Sequence, residues 1–149
     1  MSKSVSARVV IAIVWLISSP ALSADEPVKK LILPGEAFLV EGRPAFILLP
    51  PEAKRQKAQP AGKNTVQPWI FYAPTLPGLP DEHEKWMHEQ FLAAGVAVAG
   101  IDIGEAYGSP QGRELFSAFY KEVTTKRDFA PRPCLLGRAD HIALRGVAH

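Results

Sequence analysis

Pro68-Trp69-Ile70-Phe71-Tyr72-Ala73 is a run of large apolar residues without alternation. A strand that shows one face to water alternates apolar and polar side chains. A run without alternation predicts cover on both faces, as in the middle of a parallel sheet. The sequence on either side bears this out as a pattern. Thr75-Leu76-Pro77-Gly78-Leu79-Pro80 is a stiff loop, and Asp81 with Glu84 three residues on has the capping-box spacing. The predicted helix runs from Asp81 to about Ala94, with Trp86, Phe91 and Leu92 among its apolar positions, and Gly95 stops it. Val96-Ala97-Val98-Ala99-Gly100-Ile101 is a second apolar strand, ending in the glycine-rich loop Asp102 to Pro110. A second helix follows from Pro110 to Thr124, with Leu115, Phe116, Phe119, Tyr120 and Val123 at helical spacing. Cys134-Leu135-Leu136 is the last strand.

Before this unit, Ala37-Phe38-Leu39-Val40 and Ala45-Phe46-Ile47-Leu48-Leu49 flank Glu41-Gly42-Arg43-Pro44, the pattern of a β-hairpin. The predicted fold is therefore α/β: a hairpin, then a parallel β-α-β-α-β unit with helices on both faces. Ligands of such sheets bind beyond the carboxyl ends of the strands. Three segments meet there: Thr75–Pro80, Asp102–Gly112 and Gly137 onward. Residues 25–35 carry no strong pattern. Residues 50–67, with Lys54, Arg55, Lys57 and Lys63 among Ala, Gln, Pro and Gly, read as a solvated basic loop.

The first residues have the layout of an export signal. Lys3 and Arg8 precede the nine-residue apolar run Val9–Ile17, and Ser18-Ser19-Pro20-Ala21-Leu22-Ser23-Ala24 supplies a helix break and small residues. A membrane anchor needs about 20 apolar residues, more than twice this run. The expectation is a signal peptide over 1–24, cleaved near Ser23-Ala24, and a periplasmic or secreted domain over 25–149 without a stable membrane anchor. The formal net charge of the whole chain is +2. Residues 1–24 carry Lys3 and Arg8 and no acid, so the remainder is close to neutral. No general positive field remains to attract phosphate backbones, and nucleic acid is not an expected partner. The single cysteine, Cys134, rules out an internal disulfide, and its apolar neighbours predict a buried, inert thiol.

Two motifs lead nowhere. His83 and His88 bracket acidic residues as in a zinc-protease helix, but they stand five apart. At roughly 100° per residue they diverge by about 140° around a helix, so no shared metal is expected. The segment predicts a charged solvent face, with Glu84 and His88 as an i,i+4 pair. Gly104-Glu105-Ala106-Tyr107-Gly108-Ser109-Pro110 precedes a helix but has neither Walker nor dinucleotide spacing. It reads as a pocket rim with Tyr107 and Ser109 as lining, beside Thr75 and Asp102. No cofactor is implied.

Trp69–Gly78, Gly100–Ser109 and Pro133-Cys134-Leu135-Leu136-Gly137-Arg138 together resemble exported bacterial α/β-hydrolase-like proteins, over roughly half the chain from Pro68 to Leu136. The resemblance implies a nucleophile elbow, G-x-S-x-G, on the turn after the last strand, and an oxyanion donor from a backbone N–H near Leu76. Gly137 then holds the first glycine position, Ala139 the serine position and His141 the second glycine position. Ala139 has no hydroxyl and cannot form an acyl-enzyme. Asp140, a carboxylate nucleophile in principle, is one position out of register. The family's acid and histidine follow the nucleophile in chain order. The eight residues after His141 contain no Asp or Glu. A substitute pairing of Ser109 with His83 or His88 has no support in spacing.

The chain is thus expected to be the amino-terminal part of a secreted serine-esterase-type hydrolase fold. It is interrupted at the elbow, with the sheet incomplete at its carboxyl-terminal edge, and inactive as written. A small ester-like substrate is expected only for a full-length form. The alternative is a short exported binding or assembly protein that pairs with a protein partner through the open sheet edge.

Overall fold

The computed structural model describes residues 28–57 and 66–137. Five strands form one mixed sheet: β1 (Gly35–Val40), β2 (Arg43–Leu48), β3 (Trp69–Ala73), β4 (Ala97–Ile101) and β5 (Cys134–Gly137), in the order β1-β2-β4-β3-β5. β1 and β2 run antiparallel with Val40 opposite Arg43. Glu41 and Gly42 link them, both at positive φ (49° and 73°), which is the backbone of a tight two-residue connection. β2 is antiparallel to β4, whereas β3 is parallel to both β4 and β5. The helices are α1 (Glu52–Lys57), α2 (Lys85–Ala93) between β3 and β4, and α3 (Pro110–Lys126) between β4 and β5.

All five residues of β3 and all five of β4 are buried, which is why neither strand alternates. The side chains still divide by parity. Trp69, Phe71 and Ala73 join Ala45, Ile47, Ala97, Ala99 and Ile101 under Phe116, Phe119 and Val123 of α3. Ile70 and Tyr72 join Phe46, Leu48 and Val98 under Leu92 of α2. On the α3 side the alanines of β4 leave room for rings. Phe71 meets Phe116 at 5.6 Å and Phe119 at 5.2 Å, both edge to face. On the α2 side Gly100 stands opposite both Phe46 and Tyr72, whose rings are 6.2 Å apart. A Cβ there would lie 2.4 Å from the Tyr72 carbonyl oxygen and 2.9 Å from the Phe46 ring, so only glycine fits.

Four local expectations change. Residues 52–57 of the expected basic loop form the helix α1, and 58–65 lie outside the described residues. Cys134 is exposed rather than buried, because β5 has β3 as its one sheet neighbour among the described residues. The helix after β3 begins at Lys85, not Asp81. Asp81 Oδ1 accepts the His83 N–H at 2.9 Å in a preceding turn, and Glu84 is drawn away from a capping box by the Tyr72 hydroxyl, which donates to its Oε2 at 2.7 Å. Finally, α2 turns a different face inward. Trp86 is 71% exposed, while His88 is fully buried against Tyr72, so Glu84 and His88 do not form the expected solvent face.

Candidate functional site

Ala73 of β3 stands opposite Gly137 of β5, and Tyr72 opposite Gly100 of β4. The parallel register therefore brings the loop after β3, the residue after β4 and the end of β5 at Gly137 to one end of the sheet. The residue after β4 is Asp102. Its N–H donates to the Pro44 carbonyl at 2.8 Å, which holds the carboxylate at the strand end. Lys29 reaches it from the segment ahead of β1. The Lys29 ammonium donates to Asp102 Oδ2 at 2.6 Å and to the Pro77 carbonyl at 2.8 Å. The same ammonium lies 5.3 Å from the centre of the Phe46 ring. Both side chains are almost wholly buried, at 5% and 6% exposure. One ion pair thus ties three segments together: the approach to β1, the loop after β3 and the end of β4.

Burial pushes the Asp102 carboxyl above its ordinary value, and the hydrogen bond and charge of Lys29 pull it back in part. Oδ1 is buried with no hydrogen-bond partner among the described residues. A cavity of about 470 Å³ opens beside the pair. Lys29 and Asp102 line it, with Leu31, Pro77, Asp81 and Glu82 around them. It combines an apolar body with a few convergent polar groups, the general character of a small-molecule site.

Of the residues expected to line a pocket, Asp102 lines this cavity. Thr75 is half-buried and does not line it. Tyr107 is 73% exposed, at a positive φ of 46°. Ser109 serves α3 instead: its Oγ accepts the Gly112 N–H at 3.1 Å as the N-cap. Leu76 is 62% exposed, and its carbonyl accepts the Leu79 N–H at 3.1 Å. Ala139, Asp140 and His141 lie outside the described residues, as do residues 1–24. His83 is exposed, and His88 packs in the α2 layer, whereas Ser109 caps the helix of the opposite layer. Among the described residues, no cluster of three or more His, Cys, Asp and Glu could hold a metal, and no helix is long and apolar enough to cross a membrane.

Lys29 is the functional candidate that sequence reasoning missed. Its one local signal is the pair Lys29-Lys30 set between Val28 and the apolar Leu31-Ile32-Leu33, and nothing local singles out Lys29 from its neighbour. Its partner is 73 residues away, beyond any local pattern. Comparison of the chain with family models, curated proteins and solved structures gave no match in any of the three.

Proposed function

We propose that the chain carries the amino-terminal part of an exported α/β-hydrolase-like fold of the serine-esterase type, and that with Ala139 at the nucleophile position it does not itself cleave esters. The observation that carries this reading is the parallel pairing of β3 with β5, Ala73 opposite Gly137. An acyl hydrolase of this fold takes its nucleophile from a strand-to-helix turn and an oxyanion donor from the loop after the third strand. Both must adjoin one reacting carbonyl. Here the loop at Thr75–Pro80 and the end of β5 at Gly137 leave neighbouring strands at the same end of the sheet, and the loop lines the Asp102 cavity through Pro77, Gly78 and Pro80. Ala139 then bears a methyl group where the chemistry needs a hydroxyl.

The test has two readouts on the full chain. Hydrolysis of p-nitrophenyl acetate should not exceed the buffer rate; turnover that saturates with substrate would overturn the assignment of inactivity. Nuclear Overhauser contacts should link the Ala139 amide proton to protons of Leu76–Gly78. Their absence, with residues 138–141 giving extended-chain shifts, would remove the elbow and with it the hydrolase reading.

A second reading rests on β5 itself. It has one sheet neighbour among the described residues, and Cys134 on it is exposed. A strand in that position can accept another strand by edge pairing. A monodisperse dimer or hetero-complex whose formation protects the β5 amides from exchange would favour an assembly role over a hydrolase ancestry.

A further inference from the structure

His88 is fully buried beneath α2, and neither ring nitrogen has a hydrogen-bond partner among the described residues. The ring meets Tyr72 of β3 edge-on at 5.1 Å and Phe91 of its own helix at 6.3 Å. Two titratable groups face it: Glu84, one turn earlier on the helix, and Tyr72, whose hydroxyl donates to Glu84. β2 and β4 contribute Phe46, Leu48 and Val98 to this layer, none of which titrates. The Lys29 charge beside Phe46 is matched by Asp102.

A neutral imidazole has one N–H to satisfy; an imidazolium has two and a charge. The layer supplies no acceptor to either nitrogen. The helix that covers it is short and weakly held at its start, while its far end closes through the Gly95 and Val96 N–H groups, which donate to the Leu92 and Phe91 carbonyls. α2 has nine residues, no side-chain cap, no acid in its first turn and no base in its last. We infer that protonation of His88 releases α2 from the sheet while α3 stays docked, so that α2 is an acid-operated cover over the Tyr72 face.

Burial holds the His88 imidazole below its ordinary value of 6.5, and the Glu84 charge opposes this only in part. The released helix takes up the proton near the ordinary value, and the docked helix only at lower pH. The cover is therefore fully held above about pH 6.5 and loosens as pH falls, by about tenfold per pH unit until the docked value is reached.

Amide hydrogen exchange of the full chain at pH 7.5 and pH 5.5, corrected for intrinsic rates, tests this. The Met87–Ala94 amides should lose protection at the lower pH, by up to about tenfold. The Phe116–Val123 amides should keep theirs. His88→Leu should abolish the difference. Unchanged protection in α2, equal loss in α2 and α3, or a pH effect that survives His88→Leu would each overturn the inference. Should His88→Leu fail to fold, Glu84→Gln takes its place: it removes the charge that favours the imidazolium in the docked helix, so the protection lost between pH 7.5 and pH 5.5 should be as large or larger. A smaller loss would equally overturn the inference.

Discussion

The two faces of the sheet are built to different standards. α3 has 17 residues, a serine cap, proline at its first turn and Lys126 in its last. It closes over a layer of Trp69, Phe71, Phe116, Phe119 and alanines. α2 has nine residues, no side-chain cap, an exposed Trp86 and a buried histidine. The same side carries the Tyr72–Glu84 hydrogen bond, and Lys29 reaches over Phe46 to the Asp102 ion pair. Apolar packing dominates one face, with the Arg127–Glu36 pair at its rim, and polar groups with demanding partners hold much of the other. The first kind of contact is insensitive to pH and ligand. The second responds to both. The candidate cavity lies on the polar side, where Asp102, Pro77 and Glu82 meet.

Large-to-small substitutions should expose this asymmetry most strongly. Phe119 is fully buried among Phe38, Trp69 and Phe71. Phe119→Ala should cost about 4 kcal/mol, read as a lowered urea midpoint. Leu92→Ala, its counterpart on α2, should cost about 2 kcal/mol, because α2 can settle over the gap. Equal costs would mean that both faces are packed alike. Between these falls the ion pair. Lys29→Met leaves the Asp102 carboxylate buried without its cation and should cost about 3 kcal/mol. Lys29→Met with Asp102→Leu should recover most of that loss, since an apolar pair of similar volume replaces two buried charges.

The pH profile sharpens the same contrast. His88, held below its ordinary value of 6.5, removes stability as pH falls below that value. Asp102, pushed above its ordinary value of 3.8, acts with the opposite sign: its folded form binds the proton more readily, so stability falls as pH rises from that value. Urea midpoints across pH 4 to 8 should therefore show two opposed limbs, and His88→Leu should remove the one that rises toward neutrality.

The α3 side was legible in the sequence, and the α2 side was not, for one reason. Phe116, Phe119 and Val123 recur at helical spacing, and all three are buried. Apolar periodicity reports apolar burial. Between Asp81 and Glu89 the residues are mostly charged or histidine, so no period marks the inner face, and nothing local marks His88 as buried. Trp86 misled in the opposite direction: an aromatic residue satisfies an apolar template even where it faces solvent. The strands were legible because burial on both faces leaves unbroken apolar runs, and β3 and β4 are such runs. Exposure of Cys134 was not, because it depends on whether β5 has a second neighbour, which no residue of the strand encodes. At the candidate site, Asp102 was readable from its place at a strand end. Lys29 was not, since only the folded chain brings it to Asp102.

The smallest contrast lies at the helix starts. Ser109 is extended (φ −64°, ψ 151°), and its Oγ accepts from Gly112 N at 3.1 Å, with Pro110 following at the first helical position. Ser109→Ala leaves that N–H without its acceptor and should cost about 1 kcal/mol. Asp81 makes a bond of similar length, 2.9 Å, yet to His83 in the turn ahead of α2. It satisfies none of the donors of the helix proper, and the group it binds is exposed. Asp81→Ala should therefore stay within about 0.5 kcal/mol. Matched thermal melts of the two variants decide the point. If Asp81→Ala costs as much as Ser109→Ala, the turn before Lys85 belongs to the helix energetically, and the weak start that lets protonation lift α2 is not there.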